Sequence, residues 1–231
     1  MTTRGMTSVF AGFRFPREVI AVAVRWYLRY GLSYRDVEEL LAERGVTVDH
    51  VTVYRWVQRF TPEFIEPARL CRHIPGDCWF VDETYVKVSA GGPICTGRLT
   101  SMARSSTCCC LCGGTWPQPG GSSPGRCAQA PSRPRSLPTV HTAYPRVLDE
   151  LIPSALHVTV RYANNRVEAD HGQLKARLRP MRGLKRHRSA RILAAGHALV
   201  QNIRRGHCEL ATDIPAHYRL CAAFDQLAAA I

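Results

Sequence analysis

The 231-residue chain carries 31 lysines and arginines against 18 aspartates and glutamates, a formal net charge of +13, and 45% of it is hydrophobic. That much apolar material can build one large domain or two small ones, and the charge favours a polyanionic partner, nucleic acid first, over a neutral small substrate. No apolar run approaches the roughly 20 residues of a membrane span and no signal-peptide core opens the chain, so the expectation is no membrane partner and a reducing cytoplasm.

The first predicted helix lies in PREVIAVAVRWYLRYG, where Val19, Ala23, Trp26 and Tyr30 recur at helical spacing and Gly31 can act as a stop. A second follows in LSYRDVEELLAERG. Ser33 is its expected N-cap with Asp36 three positions on, Val37, Leu40 and Leu41 form its apolar stripe, and Gly45 suits the position past its end. A third, in VTVDHVTVYRWVQRF, takes Asp49 as cap and turns Val51, Tyr54 and Val57 inward. Its other face carries His50, Thr52, Arg55, Gln58 and Arg59. Two helices joined by a short turn, the later one polar and basic outside, fit a helix-turn-helix whose third helix contacts double-stranded DNA. An ordinary helical hairpin with a solvated charged face fits the same pattern.

GDCWFVDETYVKVSA reads as a strand or hairpin, with Trp79, Val81, Tyr85, Val86 and Val88 as strand formers. Asp82 and Glu83 interrupt it. A carboxylate in such a strand is costly unless it is paired, turned to the surface at an edge, or bound to a cation. Further on, RYANNRVEADHGQLKARLRP reads as a helix up to Pro180, with Val167, His171, Leu174 and Leu178 on one side and Glu168 one turn before His171. Between Lys175 and Arg191 basic residues accumulate without an acid, a block that repels itself unless phosphates neutralise it. The last predicted helix, RSARILAAGHALVQNIRRG, aligns Ile192, Gly196, Leu199 and Ile203 as core, with His197 packed.

The strings LSYRDVEELLAERGV, TVYRWVQRF, VDETYVKV and NNRVEADHGQLKARLRPMRGLK, in this order, resemble the insertion-sequence-six family of DDE transposases. The resemblance implies an α/β architecture: an N-terminal helix-turn-helix over residues 1–65 that recognises element ends, then a ribonuclease-H-like domain over 66–231, a mixed sheet flanked by helices. It assigns Asp82 as the first and Glu168 as the last of three acids that hold Mg²⁺, or Mn²⁺, for DNA strand cleavage and transfer. It also makes Lys175, Arg177, Arg179 and Arg182 phosphate contacts near that site. Element-end and target DNA, a homodimer, and a bacterial nucleoid-associated location are implied in the same way.

The chain departs from the family in its middle. The second acid is expected shortly before AYPRVLDE, yet no carboxylate stands anywhere from Gly91 to Tyr144. Asp149 and Glu150 fall past that position, on an expected helix. Cysteines crowd the same passage: Cys95, Cys108, Cys109, Cys110, Cys112 and Cys127. Cysteine codons are TGC or TGT, so three in a row, read one nucleotide earlier, give Leu, Val or Met followed by two leucines. In that frame GRLTSMARSSTCCC can encode RAVDQHGQVIDVLL, and Pro138 followed by Thr139 can contain GAC, an aspartate codon. Residues 92–140 are therefore expected to be out of frame, disordered, and to disrupt the central strands. Three functions stay open: a transposase impaired by the lost acid, a catalytically dead DNA-binding remnant, and a zinc-binding regulator built on the cysteines. The single residue between Cys110 and Cys112 fits a zinc knuckle poorly.

Overall fold

The computed structural model describes residues 8–73, 79–88, 92–101, 106–108, 136–138, 156–158, 165–181 and 184–231. The chain divides into two compact units, one formed by Met1–Arg72 with Leu199–Ile231 and the other by His73–Ala198.

The first unit is helical. Helix α1 spans Arg17–Arg29, α2 Tyr34–Ala42 and α3 His50–Leu70. The starts of α2 and α3 follow from local chemistry. Ser33 and Asp36 form a reciprocal capping box, the Asp36 backbone N–H donating to Ser33 Oγ at 3.2 Å and the Ser33 N–H to Asp36 Oδ2 at 2.7 Å. Those two bonds occupy donors that a helix start leaves bare, worth about 1 kcal/mol. They also hold the Asp36 carboxyl below its ordinary value, the Ser33 backbone N–H contributing most. Gly45 adopts φ 74°, and the Val46 N–H donates back to Leu41 at 2.9 Å, closing α2 as a left-handed glycine can. Asp49 caps α3 by accepting from the Val51 N–H at 3.1 Å.

The buried faces differ from the expected stripes. On α1 the core takes Ile20, Ala23, Val24, Tyr27 and Leu28, while Tyr30 is exposed and Trp26 half-buried under the Arg44 guanidinium, 4.7 Å from its ring centre. The apolar face is broad enough that a stripe one residue along fits the sequence equally well, and packing against α3 selects it. On α3 Val51 is exposed and Val53, Trp56 and Val57 are buried. Helix α3 also runs through Pro62 and Pro67, well past Phe60. An interior proline costs a helix about 3 kcal/mol. Here the apolar stripe continues through Phe64, Ile65 and Ala68, whose burial offsets that cost.

Helix α6, Ala216–Ala230, joins this unit and packs on α1 and α3. An aromatic cluster holds the assembly: Phe10 stacks on Phe60 at 4.7 Å, Phe13 meets Phe60 edge-on at 4.9 Å, and Phe64 lies 5.2 Å from Phe224 of α6. The sequence reading missed α6. Its signal was Pro215 ahead of Leu220, Ala223, Phe224 and Leu227, a helical period behind a proline start.

The second unit contains the strands. Strand β1, Trp79–Val88, pairs antiparallel with β2, Gly92–Ser101, and β2 with β3, Ser106–Cys108. Strands β4, Ser136–Pro138, and β5, Leu156–Val158, pair in parallel. Thus 92–101, 106–108 and 136–138, inside the passage expected to be disordered, lie in strands. The β1–β2 ladder is a backbone pairing, so β2 needs no particular side chains to form it. The rest of that passage, the helix expected around Asp149 and Glu150, and the cysteine side chains of the zinc reading lie outside the described residues. Helix α4, Asn165–Leu178, a short 3₁₀ turn at Arg179–Met181, and α5, His187–Arg204, follow, the division between the units falling within α5 after Ala198. Ile192, Leu199, Ile203 and His197 of α5 are all buried.

Candidate functional site

In the second unit three elements converge. Asp82 sits midway along β1, opposite Arg98 of β2. Helix α4, whose first turn carries Glu168, packs against β1, and β4 lies beside β1 as well. Strand β4 ends at Pro138, directly before Thr139. The elements bearing the two predicted acids are therefore neighbours, and the strand leading to the missing one adjoins them. Beyond α4 the chain returns to the same strand, where Leu184 forms a parallel bridge with Val88.

Glu168 is exposed, whereas Asp170 and His171 are 2% and 4% exposed. Asp170, two residues beyond Glu168, is a buried carboxylate. Its signal was the position four residues before Leu174, itself buried, which puts both on one side of the helix. Lys175 and Arg179 are exposed and Arg177 is half-buried, all on or just after α4, and Arg182 lies outside the described residues. Lys185, Arg186, Arg188 and Arg191 are exposed too. The basic block thus presents cations to solvent on the segment that leaves the Glu168 helix.

In the first unit, the outer strip of α3 consists of Val51, Arg55, Arg59, Pro62, Glu66 and Arg69, spaced by about one helical turn. Arg59, exposed, is tied to half-buried Glu63 at 3.0 Å, a pair one turn apart worth about 0.3–0.5 kcal/mol. Thr52 is half-buried and His50 is held by two carboxylates. Gln58 corrects the sequence reading: it is buried, because α3 is packed by α1, α2 and α6 and only the narrow strip through Arg55 and Arg59 stays outside. Val51, expected inside, takes a place on that strip instead.

A further basic group lies at the ends of α1 and α5. Burial, and next the neighbouring Arg29 and Arg205, press the Arg204 guanidinium below its ordinary pKa. Arg29 itself lies over Tyr30, 5.2 Å from its ring centre. Among the described residues no helix is long and apolar enough to cross a membrane.

A family profile described as a DDE domain matches residues 126–207, a span holding Thr139, Glu168 and the basic block. That class of domain implies a ribonuclease-H-like fold and a divalent metal cofactor. The chain is 34% identical over 175 residues to the transposase for insertion sequence-like element IS431mec of Staphylococcus aureus strain Mu50, covering 71% of this chain and 75% of the relative. It has the same identity and coverage with the transposase for insertion sequence element IS257 in transposon Tn4003, also from Staphylococcus aureus. The chain belongs to the insertion-sequence-six family of DDE transposases.

Proposed function

We propose that this transposase binds double-stranded DNA at element ends through its first unit, and that its second unit derives from a Mg²⁺-dependent strand-cleaving and strand-joining centre in which Asp82 and Glu168 are metal ligands. The observation carrying the proposal is the packing of the Glu168 helix on the Asp82 strand, with β4 beside it. Read together, the two strand groups suggest one mixed sheet in the order β3-β2-β1-β4-β5, with β1 central. That order gathers Asp82, the end of β4 and α4 on neighbouring elements.

The donor chemistry suits Mg²⁺, a hard cation that prefers carboxylate oxygen, but the set is one carboxylate short because Thr139 stands where the second acid is expected. When bound, the metal supplies activation of the attacking water or 3′-hydroxyl and stabilisation of the departing oxygen. Around it Lys175, Arg177, Arg179 and Arg182 would hold the phosphodiester backbone, with Arg182 taken from the sequence alone. In the first unit, α2, the turn at Gly45 and α3 act as a helix-turn-helix. Arg55 and Arg59 provide phosphate or base contacts, and Val51 offers an apolar surface suited to a thymine methyl.

The missing acid makes catalysis the weaker half of the protein. A threonine hydroxyl is a neutral donor and does not replace a carboxylate as ligand to a divalent cation. A DNA-binding remnant without turnover is the second reading, and Thr139 is the residue that favours it. A strand-transfer assay with Mg²⁺ or Mn²⁺ on element-end DNA separates the two. The impaired transposase gives weak joined products, strengthened by Thr139→Asp and lost with Asp82→Ala. A remnant gives none from any version.

A further inference from the structure

Two carboxylates stand at the start of α3 in a protein whose expected partner is a polyanion. Glu38, on α2, places Oε2 so that it accepts from the His50 backbone N–H at 3.1 Å and lies 3.2 Å from His50 Nδ1. Asp49 Oδ1 lies 2.9 Å from the same Nδ1, while its Oδ2 accepts from the Val51 N–H at 3.1 Å. Capping α3 requires only Asp49. Glu38 adds a negative charge close to the end of the helix that is read as meeting DNA, where charge alone would weaken binding.

The contacts of Glu38 give that charge another role. We infer that Glu38 and Asp49 clamp His50 so that its Nε2 edge contacts the element-end DNA, with Glu38 as the positioning residue. The inference rests on the DNA-binding reading of α3. Two carboxylate oxygens beside Nδ1 favour the proton on that nitrogen when the ring is neutral, and the charged ring carries it there as well. Nε2 is the nitrogen left to a partner, accepting when the ring is neutral and donating when it is charged. The His50 side chain is 38% exposed, and His50 is the first residue of α3, the end of a recognition helix that approaches base edges. Because Glu38 reaches across from α2 to both the backbone and the ring of His50, it sets where that edge sits relative to Arg55, one to two turns further along α3.

The test uses the full chain and fluorescence anisotropy with two duplexes, an element-end repeat and a scrambled version of it. Glu38→Ala is expected to cut the preference for the repeat about tenfold, the scale of losing one base contact. His50→Ala should cut it equally, and the double variant no further than either alone, because Glu38 acts through His50. Glu38→Gln keeps an acceptor for the ring and recovers most of the preference. If the two single losses add, or if Glu38→Ala lowers the melting temperature and leaves the preference intact, the clamp is structural only and the inference fails. A natural chain with no preference between the duplexes overturns the DNA reading of α3 itself, and the clamp with it.

Discussion

Met1–Arg72 with Leu199–Ile231, and His73–Ala198, reach their structures by different kinds of information. In the first unit the helix starts are written in adjacent residues: Pro16 before α1, Ser33 with Asp36, Asp49 with Val51, Pro215 before α6. In the second unit the candidate centre depends on segments far apart in sequence, since Asp82, Thr139 and Glu168 matter only if β1, β4 and α4 meet. A local signal survives damage elsewhere in the chain, whereas an assembled centre loses its chemistry with one ligand. The proposed DNA-binding unit can therefore stay sound beside a compromised candidate centre.

Four perturbations sharpen or break that contrast. The largest effect is expected from Phe60→Ala, which empties the middle of the Phe10, Phe13 and Phe60 cluster. The first unit should lose about 3–5 kcal/mol of stability, measured by denaturant melting. A loss under about 1 kcal/mol would mean the cluster does not hold that unit together. Arg55→Ala, on the exposed strip, should weaken element-end binding by about 1–3 kcal/mol if it meets a base. Arg59→Ala, already paired with Glu63, should mainly reduce the salt dependence of binding. Equal effects of the two at all salt concentrations would contradict that division.

Ser33→Ala should cost about 1 kcal/mol. Weakening the Asp36 half of the capping box by acid has a defined sign. The folded Asp36 carboxyl titrates below its ordinary 3.8, so its contribution is present above that value and fades as pH falls through the lower folded value. The carboxylate is exposed, so solvent screening keeps this pH effect small. An Asp36→Asn chain, which keeps an acceptor for the Ser33 N–H but no titrating carboxyl, should show less of the acid-induced drop than the natural one in melts from pH 6 to 3. The smallest perturbation is chemical. The Cys208 thiol is buried and pushed up to about 11, chiefly by desolvation, so iodoacetamide at pH 8 should leave it unmodified in the folded chain. Rapid labelling would show that the segment after α5 opens readily.

What could be read from the sequence follows the same division. The positions of α1, α2 and the start of α3 were legible because capping residues and apolar period act within a few residues. Which face of α1 is buried, and the burial of Gln58, were not, because both depend on how several helices pack together. The continuation of α3 beyond Pro62 was hidden because proline is a local stop signal that tertiary burial overrode. In the second unit, strand β1 and the helix around Glu168 were legible from strand formers and helical spacing. Their adjacency was available only through the family resemblance, since no local pattern encodes which distant segments meet. Glu38 went unremarked because its partner His50 stands twelve positions away, beyond any helical spacing.

Mn²⁺ binding, followed by electron paramagnetic resonance on the natural chain, Asp82→Ala, Glu168→Ala and the double variant, tests most directly whether the strand and the helix serve one centre. Each single substitution is expected to weaken binding strongly and the double variant little further, because the two carboxylates share an ion. Single variants that bind Mn²⁺ as the natural chain does, or losses that add as for independent sites, would contradict the account.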